Sequence, residues 1–124
     1  MTRPNQTIIP VLRIFDLAAA RTFYLDYLGF KIDWQHQFGE NFPLYLQISK
    51  ADLILQLSQH HGDVTPGSYI RIWMQDLEGF VLQLQSHDYT FAKPALQQTE
   101  WETLELSILD PFSNRLCFWH DLES

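Results

Sequence analysis

Two imidazoles and a carboxylate fall within four consecutive residues at His60-His61-Gly62-Asp63. Histidine titrates near neutrality, so this segment could hold a divalent ion or move a proton. Neighbouring residues on an extended chain point to opposite sides, however, and His60 and His61 cannot easily share one ion. The simpler expectation is a polar loop at the border of a cleft, with His60 against a ligand. Cys117 is the single cysteine, which excludes an internal disulfide and leaves a candidate nucleophile. The sequence assures it no basic neighbour or helix N-terminus to lower its pKa, so a small packed thiol is the better reading. Arg13 and Arg71 occupy equivalent places in two similar stretches. Two guanidiniums close together could take a carboxylate or phosphate through paired hydrogen bonds, whereas Glu105 and acids at the cleft edge could neutralise them internally. Either outcome suits a chain of net charge -7, so the sign of a ligand stays open.

The elements that must position these residues are read from periodicity, and they occur twice. Ile8, Pro10, Leu12 and Ile14 alternate with Ile9, Val11, Arg13 and Phe15, a strand pattern with one strongly apolar face. Asp16 is a good N-cap, and Leu17, Ala20, Phe23, Tyr24 and Leu28 recur at helical spacing before Gly29, a stop signal. The pattern returns with Tyr69 to Gln75 as a strand and Asp76 as a cap. Leu77, Phe80, Val81 and Leu84 form the second stripe, which ends near His87-Asp88-Tyr89. Further strands are expected at 32–38, 44–49, 53–58, 103–109 and 115–120, with a weaker one near 89–93. Ser49-Lys50-Ala51-Asp52 and Asp110-Pro111-Phe112-Ser113-Asn114 are the hairpin signals that close each half, and Gln59 to Ser68 is the linker. The fold class is therefore α+β, a single domain over 1–124 built from two βαβββ modules, about 7–58 and 69–121. A module this short cannot cover both faces of its own sheet. Two must combine, and the open side becomes a place for a ligand.

Composition narrows the function. With 46% apolar and 15% aromatic residues in 124, a packed core is expected. Eight Lys and Arg against fifteen Asp and Glu argue against nucleic-acid binding, which needs clustered basic side chains. Apolar runs stay far below the roughly 20 residues of a membrane helix, and Met1-Thr2-Arg3-Pro4 opens no apolar leader, so a cytoplasmic protein without membrane contact is expected.

Strand alternation separates the two faces. Leu12, Ile14, Leu53, Leu55, Leu57, Ile70, Ile72, Met74, Leu104, Leu106, Ile108, Leu116 and Phe118 form an apolar set expected under the helices. The opposite set includes Ile9, Arg13, Gln56, Tyr69, Arg71, Trp73, Glu105, Cys117 and Trp119. Aromatic walls with a few polar groups describe a small-molecule pocket better than catalytic machinery. A competing role for a residue such as Trp119 is to fill an interface between two copies of the chain.

Ile9-Pro10-Val11-Leu12, Asp16-Leu17, Phe23-Tyr24 and Leu28-Gly29-Phe30 resemble the glyoxalase/bleomycin-resistance superfamily, also called vicinal oxygen chelate proteins. So do Trp101-Glu102-Thr103-Leu104-Glu105-Leu106 and Asp110-Pro111-Phe112-Ser113-Asn114-Arg115-Leu116, and the likeness is greatest to the bleomycin-resistance branch. The resemblance implies paired βαβββ modules, a U-shaped mixed sheet with helices on the convex side, and a homodimer. Enzymes of the superfamily hold a divalent metal with His, Glu or Gln at fixed strand positions, where this chain has Ile9, Gln56, Tyr69 and Cys117. That set suits a metal poorly. The expectation is a protein without metal or cofactor that sequesters a planar or amphipathic small molecule by stacking on Trp34, Phe38, Trp73 and Trp101. The alternative is a divalent-metal-dependent lyase, isomerase or dioxygenase with an ion recruited by His60, His61, Asp63 or Glu105. A third reading is an interaction module whose cleft is vestigial and filled by its own side chains.

Overall fold

The computed structural model describes residues 6–37, 39–89 and 94–122. In the first module, strand β1 (Val11–Arg13) is followed by helix α1 (Leu17–Ala20, continuing over Arg21–Tyr27), and then by β2 (Lys31–Gln37), β3 (Leu44–Lys50) and β4 (Leu53–Ser58). The second module repeats the order with β5 (Tyr69–Trp73), α2 (Leu77–Gln85), β6 (Gln97–Gln98), β7 (Thr103–Leu109) and β8 (Arg115–Asp121). Each module forms a four-stranded sheet, in the orders β1-β4-β3-β2 and β5-β8-β7-β6. β1 runs parallel to β4 and β5 parallel to β8, while the other pairs are antiparallel. The α+β class and the repeated module thus stand as read from the sequence.

Several boundaries differ, for physical reasons. β1 is regular only over Val11–Arg13, so Ile8 and Ile9 precede it. Pro10 cannot donate to a ladder, yet its carbonyl accepts from Gln56 N at 2.9 Å, and Ile14 N donates to Ser58 O at 2.9 Å just beyond the strand. α1 starts as expected at the Asp16 cap, whose carboxylate accepts from Ala18 N, and makes an α-helical turn over Leu17–Ala20. Over Arg21–Tyr27 it widens to a π-helix, with Leu28 N reaching Phe23 O at 2.9 Å. Gly29 ends it at φ 88°. β6 was not expected, and of the weak 89–93 strand, residues 90–93 lie outside the described residues.

The apolar set packs as the alternation requires. Leu12, Ile14, Leu55, Leu57, Leu104, Leu106, Ile108, Leu116 and Phe118 join Phe23, Tyr24, Leu77 and Leu84 from the helices in one core cluster shared by both modules. The Asp110–Asn114 turn locks the modules together. Buried Asp110 accepts from Phe112 N and Asn114 N at 2.8 Å through Oδ1, and from Tyr24 Oη at 2.6 Å and Asn114 Nδ2 at 2.8 Å through Oδ2. Asn114 Nδ2 also donates to Arg13 O at 2.8 Å, and its Oδ1 accepts from Ser68 N. A turn of the second module therefore holds the helix and first strand of the first. Burial and Asp110 push the Tyr24 hydroxyl pKa well above its ordinary value.

Candidate functional site

On the sheet faces turned from the core, each half of the molecule presents a distinct set of polar and aromatic side chains. In the first, a β-bulge between Ile32 and Trp34 makes Asp33 an extra residue in β2. Ile32 stays opposite Ile48 in the core register, while Trp34 comes opposite Gln47. Asp33 and Trp34 then serve the same face. Asp33 accepts from Gln47 Nε2 at 3.0 Å and Ser49 Oγ at 2.8 Å, and these bonds lower its pKa. Gln56 Nε2 donates to Gln47 Oε1 at 3.0 Å, and Tyr45 Oη donates to Gln56 Oε1. The Trp34 ring lies nearly parallel to Tyr45, with centroids 6.0 Å apart. Beside them a groove of 430 Å³ is lined by Trp34, His36, Tyr45, His60 and Asp63.

The linker closes this half. Asp63 accepts from Ser58 Oγ at 2.7 Å, and Asp63 N donates to His60 O at 3.1 Å in a tight turn. His60 lines the groove whereas His61 is exposed outside it, consistent with opposite directions for adjacent side chains. Burial and the Asp63 charge raise the Tyr45 hydroxyl pKa. Arg13 is nearly buried, donates to Gln59 O and lies over the Phe15 ring at 4.8 Å. It braces the end of β1 and the linker. Phe38 lies outside the described residues.

In the second half, six expected residues converge. Arg71 Nη2 meets Glu105 Oε2 at 2.8 Å and Arg71 Nη1 meets Oε1 at 3.2 Å, a bidentate pair. The same Nη1 lies 3.3 Å from Tyr69 Oη and 3.6 Å from Cys117 Sγ. Glu105 also accepts from Thr103 Oγ1 at 2.7 Å, Trp101 Nε1 at 3.2 Å and Cys117 Sγ at 3.3 Å. The Arg71 guanidinium lies 5.2 Å from the Trp119 ring centroid. Arg71 and Glu105 thus neutralise each other internally, the second of the two outcomes weighed for the arginines. That pairing holds the Glu105 pKa down at about 2 and raises that of Arg71. Burial, then Glu105, pushes the Cys117 thiol up, which fits a packed side chain rather than a nucleophile. Trp73 stands opposite Trp119 in the β5–β8 register and is exposed.

The positions a superfamily metal would use do not fit one. Gln56 is spent on Tyr45 and Gln47, Cys117 donates to Glu105, and a guanidinium already lies against Tyr69 and Cys117. Ile9 offers no donor atom. Among the described residues, no three His, Cys, Asp or Glu side chains gather where they could hold an ion. Sequence reasoning missed Asp33, His36, Tyr45, Gln47 and Ser49. The alternation Leu44-Tyr45-Leu46-Gln47-Ile48-Ser49 carried the signal for three of them, since the leucines and isoleucine are buried in the core. A second cavity of 460 Å³ opens against Ala19, Thr22, Tyr89, Leu109, Asp110 and Pro111. Its carboxylate is consumed by the Asp110 network and Thr22 Oγ1 donates to Ala18 O, so it has little left to orient a polar ligand. No helix among the described residues is long and apolar enough to cross a membrane.

Solved structures share the fold. A bleomycin-binding protein complexed with bleomycin superposes with a TM-score of 0.71 at 22% identity, over 94% of this chain and 99% of that one. A bleomycin resistance determinant encoded on the transposon Tn5 gives 0.73 at 20% identity, over 94% and 98%. The bleomycin-binding protein of Streptomyces verticillus complexed with copper(II)-bleomycin gives 0.65 at 20%, over 99% and 100%. No curated protein matches the sequence. The family model described as "Glyoxalase superfamily protein" matches residues 4–124, nearly the whole chain. With its repeated module and its Asp110–Asn114 turn, this chain belongs to the glyoxalase superfamily.

Proposed function

We propose that this chain is a small-molecule-binding protein of the bleomycin-resistance type, which sequesters a planar or amphipathic ligand between aromatic walls without making or breaking bonds. The observation that carries the reading is the division of labour on the cleft face. Asp33, Tyr45, Gln47, Gln56, Arg71 and Glu105 bond to neighbours on their own sheet, whereas Trp34, Tyr69, Trp73 and Trp101 are 43%, 57%, 58% and 66% exposed. An exposed aromatic surface beside polar groups already paired with one another favours ligands with large flat faces, and each ring pair adds about 0.5–1.5 kcal/mol beyond the area it buries. Catalysis would instead need a group left free to exchange a proton or hold an ion. Structures of similar fold contain bleomycin, which supports the same class of ligand.

Sequestration needs only tight, pre-organised binding. A homodimer completes the cleft in this reading, with residues 34–42 or 60–68 of one copy walling the site of the other and the first and last strands at the interface. Ile8 at 91% and Phe42 at 56% exposure are the apolar side chains such a contact would cover. Intrinsic tryptophan fluorescence titrated with bleomycin and with a planar aromatic cation such as ethidium tests the binding. Saturable quenching with either supports the reading, and no change with both removes it. Elemental analysis of protein purified without chelator separates it from the enzyme reading, which requires a stoichiometric divalent ion.

A further inference from the structure

We propose that the Arg71–Glu105 pair is a positioning unit that fixes the Trp101 indole as a rigid wall of the cleft, a role that rests on the binding function proposed above. Trp101 sits in the turn before β7, where Glu102 N bonds to Thr99 O at 3.3 Å, and its side chain is 66% exposed. An indole so placed would sample several rotamers in water. Its N–H is instead committed to Glu105 Oε2 at 3.2 Å.

Glu105 is fitted for this task and for little else. A carboxylate offers about four lone-pair directions. Arg71 meets it twice, and Thr103, Trp101 and Cys117 bring the donors around it to five, one more than those directions accept singly. No acceptor capacity remains for a ligand. Arg71 is likewise engaged with Tyr69, Cys117 and the Trp119 face as well as with Glu105. One guanidinium thereby sets the places of three aromatic side chains, Tyr69 and Trp119 directly and Trp101 through Glu105.

A bracing role for the sheet would be redundant. β5 and β7 are both already joined to β8 by continuous ladders over Tyr69–Trp73 and Thr103–Leu109. The ion pair spans β8 above Cys117, which lies opposite Arg71 on one side and Ser107 on the other. A larger side chain at 117 would stand between the two charges. What the pair adds beyond the ladders is the orientation of Trp101, and an aromatic wall held before binding costs less to order when the ligand arrives.

The test uses the full chain labelled with ¹⁵N. The Trp101 indole resonance is identified as the one lost in Trp101→Phe. In Glu105→Ala and in Arg71→Met it is expected to move towards the free-indole position and to exchange faster with water, while the backbone amide spectrum stays native. Affinity for bleomycin or ethidium, whichever the wild type binds, is expected to fall about three- to tenfold in both variants, the scale of losing one pre-ordered side chain. Glu105→Gln keeps an acceptor for the indole and should lie between wild type and Glu105→Ala, and it serves as the readout if Glu105→Ala does not fold. An indole resonance unmoved in the variants overturns the proposal, as does a shifted resonance with unchanged affinity. If the wild type binds neither probe, the sequestration reading fails, and the indole resonance alone then decides whether the pair positions Trp101.

Discussion

Tyr24 and Tyr27 face the core from the same helix and differ in what their hydroxyls meet. Tyr24 Oη donates to Asp110 at 2.6 Å, while Tyr27 Oη is buried with no partner among the described residues. Tyr24→Phe should therefore cost about 1–3 kcal/mol by leaving Asp110 short of a donor, whereas Tyr27→Phe should be neutral or stabilising. Urea unfolding of the two variants checks this, and equal effects would contradict it. Glu105 gives a pH dependence. Its pKa falls from 4.5 to about 2 on folding, so its stabilisation is complete above pH 4.5 and is lost as the pH drops through about 2. Arg71 is 40% exposed, and solvent screening limits the effect to about 1 kcal/mol. The stability difference between wild type and Glu105→Gln should be constant near neutrality and shrink below pH 4.5; a difference unchanged to pH 3 would contradict the pairing. At this scale strand alternation already placed Arg71, Glu105, Cys117 and Trp119 together. It could not reveal that Arg13 turns to the Gln59 carbonyl, because that bond depends on the path of the linker.

Elements were legible where one period dominates. α2 begins at the Asp76 cap expected for it and buries the expected Leu77, Phe80, Val81 and Leu84. α1 shows the limit of that method. Residues four apart share a face in α- and π-helices alike, so Ala20, Tyr24 and Leu28 look the same in either winding. The bulge at Asp33 was also hidden. A one-residue insertion shifts the faces of everything after it, and only the partner strand reveals where the register slips. The hairpin turns offer a test at this scale. Ser113 holds φ 70° within the Asp110–Asn114 turn, a left-handed conformation costly for a residue with a Cβ. Its side chain is exposed, so Ser113→Gly should stabilise by about 0.5–1 kcal/mol after the entropy that glycine loses on folding. A lower thermal midpoint would show that the serine itself matters to the turn.

For the whole molecule, the repeat was visible in the sequence, but the lock between modules was not. The Asp-Pro-x-x-Asn motif marks a turn in sequence, and its bonds to Tyr24 and the Arg13 carbonyl join positions far apart in the chain. Assembly is likewise beyond what one chain displays. Ile8 and Phe42 expose apolar surface that a second copy would cover, and light scattering at micromolar concentration should return the mass of a dimer. A monomer mass would remove the shared cleft. The most direct test of the central claim is equilibrium dialysis of the purified protein against bleomycin, followed by mass spectrometry of the ligand recovered after denaturation. Saturable retention of chemically unchanged bleomycin, undiminished by prior chelator treatment, is the result predicted; recovery of a converted product, or no retention above that of an unrelated protein, would contradict it.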